Sequence, residues 1–296
     1  MRARLRPSSI AMALNYLLLF ILFVVTAFPI YNILVVSLTG PKYIAAANGL
    51  STFPRDITFV TYQALLSIPK VLRGLLNSIF ITLAGVAVNM VMTSLAAYVL
   101  SRPRLPGRRF LMLFVIFTIV FEGGLIPDYM LMRNLHLLNN YLSVILYKGV
   151  NAYYLIIMIR FFEEVPSSLL DAARLDGLTE TQILTRVVLP VSRAGVTTIS
   201  LFYLVFHWND YFRPLIYLTD PQKWPLQTVL REILVSSDKA AFIGVTAYLH
   251  YSGSSNIDIK ALQSGMIILA IIPIILVYPI LLRHFAKGAL SGALKE

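Results

Sequence analysis

The stretch PSSLLDAARLDGLTETQILTRVVLP, Pro166 to Pro190, decides how this chain is read. It is polar between two strongly apolar stretches, so it does not rest in hydrocarbon, and its punctuation is that of two short capped helices. Pro166 suits the first helical position, where its missing N–H has no intrahelical partner anyway. Gly177 suits the left-handed residue that ends a helix. Thr179, with Gln182 three residues on, has the form of a capping box opening a second helix. Ala172 and Ala173 leave one side of the first helix nearly bare, so another protein's groove can approach its backbone. An amphipathic hairpin lying on a membrane surface has the same pattern, and spacing alone leaves both readings open.

The composition around this segment points to a membrane. The chain has 296 residues, of which 58% are hydrophobic and 13% charged, with a mean hydropathy of +0.76. That is too little polar sequence to cover a water-soluble globule of this size. With no cysteine, neither a disulfide framework nor a thiolate metal site is available. The net charge of +11 does not mark a nucleic-acid binder, because no basic run is interleaved with aromatic residues on a soluble domain.

A spanning helix needs about 20 apolar residues. Six spans are expected, over residues 14–38, 79–100, 110–126, 142–159, 195–218 and 262–282, giving an all-α polytopic protein with a transmembrane domain over 14–285. The third contains Glu122, the fourth Lys148 and Asn151, and the fifth is interrupted by the polar cluster His207 to Arg213. Arg2, Arg4 and Arg6 precede a hydrophobic run about twice as long as a signal-peptide core, which reads as a retained anchor. Pro29, Pro273 and Pro279 each remove a backbone donor and predict kinks.

Short-loop arginines and lysines favour the cytoplasmic side. Arg102, Arg104, Arg108 and Arg109 follow the second span, on the same side as the basic N-terminus (1–13) and the tail (286–296) with Lys287. Both termini and the segment 166–190 then face the cytoplasm. Outside lie an irregular loop expected over Gly40 to Arg73, a short interfacial helix within Asp128 to Asn140, and the long connection Thr219 to Lys260 with a helical Leu226 to Val235 and a Ser/Gly-rich stretch near 251–255.

No constellation for catalysis emerges. There is no P-loop, so any ATP is handled by another chain. There is no paired-histidine zinc motif, and His136, His207, His250 and His284 are not spaced as ligands. The serines from 252 to 255 lack both the nucleophile-elbow pattern and a positioned base.

Asp171, Ala172, Ala173, three residues, Gly177, nine more, then Val187, one residue, Leu189 and Pro190 resemble the EAA loop of the membrane subunits of bacterial ABC importers. Asp171 and Val187 stand where that loop usually has Glu and Ile. Asn77 to Arg109, Gly123 to Leu138, Trp208 to Leu215 (WNDYFRPL) and the ending KGALSGALKE from Lys287 are similar to the maltose-type oligosaccharide permeases. The resemblance covers nearly the whole chain. It implies a permease subunit of the bacterial inner membrane, paired with a second homologous permease, two cytoplasmic ATPase subunits that carry ATP and Mg, and an external solute-binding protein. This chain is then not an enzyme, binds no cofactor or metal of its own, and contacts lipid and oligosaccharide cargo but no nucleic acid. Asp171, Ala172, Ala173, Gly177, Leu189 and Pro190 become the coupling residues.

Polar groups at membrane depth usually face a bundle interior or a water-filled path, which singles out Glu122, Lys148 and Asp210, with His207 added as a further pathway candidate. A pyranose offers C–H faces to rings and hydroxyls to polar groups, which adds Tyr153, Tyr154, Tyr203, Trp208 and Asn209. These residues equally suit packing or an interfacial belt. Arg133, Lys148 and Arg213 suit an acidic cargo of the alginate or pectin kind, or anchor the outer interface. The alternatives are an ABC permease for peptides or another solute, a secondary transporter or channel working without an ATPase, and a membrane-embedded enzyme, for which no acid, base or metal set can be assembled.

Overall fold

The computed structural model describes residues 9–40, 43, 53–235 and 259–293. Arg2, Arg4, Arg6, His250 and the Ser/Gly-rich stretch lie outside the described residues. Among the described residues every element is helical, and the extended pairing consists of one isolated bridge, Thr39 to Ile57. The chain forms two compact units, residues 1–68 with 233–271 and residues 69–232 with 272–296.

In the first unit, α1 (Ser9–Leu38) runs unbroken through Pro29. Its apolar side chains from Leu14 to Val25 are exposed, the pattern of a helix facing lipid. Its last turn is buried, and Ser37 Oγ lies 2.7 Å from the Tyr62 hydroxyl. Tyr62 belongs to α2 (Val60–Ser67), a helix inside the stretch expected to be irregular. Proline punctuates that stretch without abolishing helix. Ile68 is extended (φ −78°, ψ 114°), as a residue before proline must be, and Pro69 opens the next helix at the position proline tolerates best.

That next helix, α3 (Pro69–Leu100), is the backbone of the second unit. It has 32 residues and begins ten residues before the expected span. One face is buried through Ser78, Ile81, Thr82, Gly85, Asn89, Thr93 and Ala97, while Leu83, Val91 and Leu95 point outward. After Gly107 in the left-handed conformation comes α4 (Arg108–Val120), then a break at residues 121–124 and α5 (Leu125–Asn134), which turns 113° from α4. Gly124, at φ +86°, makes the turn. The span read over 110–126 therefore stops at Val120, leaving Glu122 in the break.

The span read over 142–159 is not one helix. It divides into α6 (Leu142–Ile145) and α7 (Ala152–Glu163). Lys148 takes the left-handed region (φ +49°), and Asn151 opens α7 by accepting the N–H groups of Tyr153 and Tyr154. Then follow α8 (Ser167–Leu175), α9 (Glu180–Ile183), a π turn over Leu184–Val188, α10 (Leu189–Val191) and α11 (Arg193–Asn209). α11 ends before Asp210, and α12 (Phe212–Tyr217) and α13 (Leu226–Val235) follow. The last helix, α14 (Ile259–Ala293), contains Pro273 and Pro279. α1, α3 and the first part of α14 are long and apolar enough to cross a membrane, and the bent pairs α4 with α5 and α9–α10 with α11 qualify if each is taken as one span.

Candidate functional site

The segment 166–190 folds as two capped helices, and its hydrogen bonds explain why. Leu178 N–H donates to the Ala173 carbonyl at 3.1 Å and Gly177 N–H to the Arg174 carbonyl at 3.0 Å. With Gly177 at φ +77°, this is a Schellman closure of α8. Thr179 N–H donates to Gln182 Oε1 at 2.9 Å and Gln182 N–H to Thr179 Oγ1 at 3.4 Å, completing the capping box of α9. Pro166 is the N-cap (φ −57°, ψ 132°), one residue before the first helical position expected for it. Pro190 cannot donate to a carbonyl one turn back, and the π turn ends two residues before it, at Val188.

The hairpin is part of the protein's core. Leu170, Ala173, Ile183, Leu184 and Val188 are buried in one cluster with Ala97 of α3, Met158 and Ile159 of α7 and Ile199 of α11. Only one of the two alanines is bare: Ala172 is exposed, and Ala173 is buried against the cluster. The free face of α8 instead presents Leu169, 45% exposed, Ala172 and Leu175, 90% exposed. Leu175, at the helix tip, is the most open apolar side chain of the hairpin.

Polar ties join the hairpin to α3. The Tyr98 hydroxyl donates to the Glu180 carboxylate. Arg174 Nε donates to the same carboxylate at 3.1 Å, and its Nη1 reaches Asp171 at 3.2 Å. The Tyr98 hydroxyl first and Arg174 second hold the Glu180 carboxyl below the usual carboxylate range, against burial that works the other way. The Arg102 guanidinium lies over the Tyr98 ring, 4.1 Å from its centroid. Asp171, where the EAA resemblance has Glu, is thus already engaged on its own helix.

The polar residues singled out in the spans divide into two groups. A cavity of about 490 Å³ opens between the α4–α5 break and the α6–α7 break, lined among others by Glu122, Asp128, Tyr147, Lys148, Asn151 and Tyr153. Lys148 Nζ lies 2.6 Å from Glu122 across it, and Tyr153 is 60% exposed. Behind the cavity, Asn89 donates to the carbonyls of Lys148 at 3.1 Å and Gly149 at 2.9 Å. His207 Nε2 lies 2.6 Å from Asn89 Oδ1. The His207 ring rests on Gly85, where a Cβ would come within 2.4 Å of it. Tyr203 is fully buried; its hydroxyl accepts from Asn151 N–H at 3.0 Å and lies 2.7 Å from Thr93 Oγ1. Tyr154 meets the Tyr203 ring edge to face at 4.9 Å. Among the described residues no cluster of His, Asp and Glu could hold a metal ion.

No family model matches the chain. It is 38% identical over 282 residues, 95% of its own length and 96% of the relative's, to the polygalacturonan/rhamnogalacturonan transport system permease protein YtcP of Bacillus subtilis. It is 28% identical over 248 residues, 82% of this chain and 84% of the relative, to the trehalose transport system permease protein SugB of Mycobacterium tuberculosis. Its fold superposes with a TM-score of 0.86 at 30% identity, covering 96% of this chain and all of the other, on a bacterial ABC transporter involved in the import of the acidic polysaccharide alginate. The chain belongs to the carbohydrate ABC importer permeases.

In this permease the cavity brings Glu122 and Tyr153 together, while Tyr154, Tyr203 and His207 form the scaffold behind them. Trp208 is buried in the helix bundle and Asn209 is exposed at the end of α11. Asp210 receives the Arg213 guanidinium at 3.1 Å, and that guanidinium sits 4.0 Å from the centre of the Tyr147 ring. Sequence reading missed Asn89, a buried amide in an apolar helix, and the pair Tyr98 and Glu180. The signal for Asn89 was its place on the Gly85 to Thr93 face; for Tyr98 and Glu180, separated by 82 residues, the sequence carries no local signal.

Proposed function

We propose that this permease carries uronate-containing oligosaccharides, working by alternating access driven by two cytoplasmic ATPase subunits through the hairpin α8–α9. In this reading the chain crosses the membrane six times with both termini in the cytoplasm, pairs with a second homologous permease and receives cargo from an external solute-binding protein. ATP and Mg reside on the ATPase subunits, and this chain contributes no catalysis.

The observation that carries the coupling role is the shared cluster that makes the hairpin one packed body with the C-terminal end of α3, the length of α7 and the middle of α11. Force applied at Leu175 is then delivered to α3, α7 and α11 at once. Packed cores respond to such force by switching between discrete packings, and closure of the ATPase pair supplies the differential contacts that shift the balance. The proposed coupling set is Asp171, Ala172, Ala173 and Gly177 with Leu189 and Pro190. Val187 and Leu189 are half-buried against the cluster.

The cargo class is supported by two of the relatives, one a polygalacturonan/rhamnogalacturonan transport system permease and one a transporter involved in the import of the acidic polysaccharide alginate. The cavity adds a chemical reason. The exposed Tyr153 ring offers a face to pyranose C–H groups, and Lys148 is within reach of a uronate carboxylate that displaces Glu122. The test is uptake by the reconstituted transporter with its binding protein, comparing oligogalacturonides and alginate fragments with neutral maltooligosaccharides. Preferential transport of the acidic series supports the reading, and neutral sugars carried with acidic ones excluded would overturn the cargo class.

A further inference from the structure

We propose a second binding site, in which the groove between α4 and α7 seats the phosphate and one acyl chain of an anionic phospholipid from the cytoplasmic leaflet. The leaflet rests on the orientation given under the proposed function. The groove encloses about 630 Å³, and its mouth is ringed by Arg108, Arg109, Arg160 and Glu163. Arg108 is committed to the loop: its Nε donates to the Leu100 carbonyl at 2.7 Å and its guanidinium pairs with Glu163. Arg160 reaches the same carboxylate at 3.0 Å yet is 74% exposed. Arg109 has no carboxylate partner among the described residues. Three guanidinium groups face one carboxylate, an excess of positive charge with nothing in the groove to balance it.

Below this mouth the groove becomes apolar along α4, through Leu113 and Ile116. No residue of α4 is buried; Leu113 is 58% and Ile116 46% exposed. Arg108 to Ile116 is eight residues, a rise of about 12 Å, close to the depth of one hydrocarbon leaflet at half of about 30 Å. Arginine forks match phosphate oxygens, and basic pockets between spans at the cytoplasmic face select anionic headgroups. The occupant that matches a basic mouth above an apolar trough is one that carries a phosphate and an acyl chain in the same molecule. A phospholipid already carries its phosphate at that depth.

The experiment uses the assembled transporter in nanodiscs, titrating phosphatidylglycerol against phosphatidylcholine and counting retained lipid by native mass spectrometry. Wild type is expected to favour phosphatidylglycerol. The double variant Arg109→Gln with Arg160→Gln, which spares the Arg108 bond to Leu100, is expected to bind it about 30-fold more weakly with phosphatidylcholine binding unchanged. Equal binding by wild type and variant overturns the site, as does a photocrosslinker at Leu113 that captures a protein chain instead of lipid. Because the chain has no cysteine, Arg104→Cys reports orientation separately. Labelling by an impermeant maleimide from outside defeats the leaflet assignment, whereas an unchanged lipid titration defeats the site itself.

Discussion

Replacing Gly177 with valine isolates what the hairpin turn contributes. Gly177 sits at φ +77°, and a Cβ built there meets no atom within 4 Å, so the Cβ itself creates no clash and the substitution acts first on the backbone. Holding a side-chain-bearing residue in the left-handed region costs about 1–2 kcal/mol, and a β-branched residue stands at the upper end. The population of the closed turn relative to an opened one then falls by a factor of about 5–30. Asparagine visits this region readily, so Gly177→Asn should lose far less. The assay is ATP-driven uptake by the complete transporter in vesicles, alongside its ATPase rate and the amount of permease in the membrane. Valine should abolish most uptake at normal membrane abundance, while asparagine retains most of it. Wild-type transport by the valine variant would refute the reasoning, and equal loss in both variants would show that conformation is not what matters there.

Three further outcomes follow from the ties between the hairpin and α3. Tyr98→Phe deletes a hydrogen bond to a charged group, worth about 1.5–3 kcal/mol, and should leave ATPase activity while uptake per ATP falls. Glu180 has a folded pKa below its ordinary value of 4.5, so its tie is fully present above that value and is lost as pH falls through the lower folded pKa. The protection of residues 170–183 against hydrogen exchange, taken relative to the intrinsic exchange rate at each pH, should therefore be high at neutral pH and fall in acid. Glu180→Gln should lower that protection at neutral pH and make it independent of acid.

What could be read from the sequence is what short-range bonds determine. The Gly177 closure and the Thr179–Gln182 box connect residues within a few positions of one another, so their letters announce them. The long apolar helices are legible for the same reason: a lipid-facing surface is a property of composition. The break between α6 and α7 was not legible, because it depends on Asn89 binding the carbonyls of Lys148 and Gly149 from 59 and 60 residues away. Lys148 in the left-handed region carries no glycine to advertise it. Ala173 looked as bare as Ala172, and only the packing of α8 on the core distinguishes them. The polar span residues were recognisable as unusual, but their division into Glu122 and Tyr153 at the cavity and Tyr203 and His207 behind it follows from helix rotation. Gly85 records that rotation, being the place where α3 lets the His207 ring approach.

The most direct measurement of the coupling claim is the accessibility of Leu175, made the chain's sole cysteine. In inside-out vesicles stripped of ATPase subunits, Leu175→Cys should react rapidly with an impermeant maleimide, and adding the ATPase subunits back should protect it. Labelling from the external face, or an unchanged rate when the ATPase subunits return, would contradict the account.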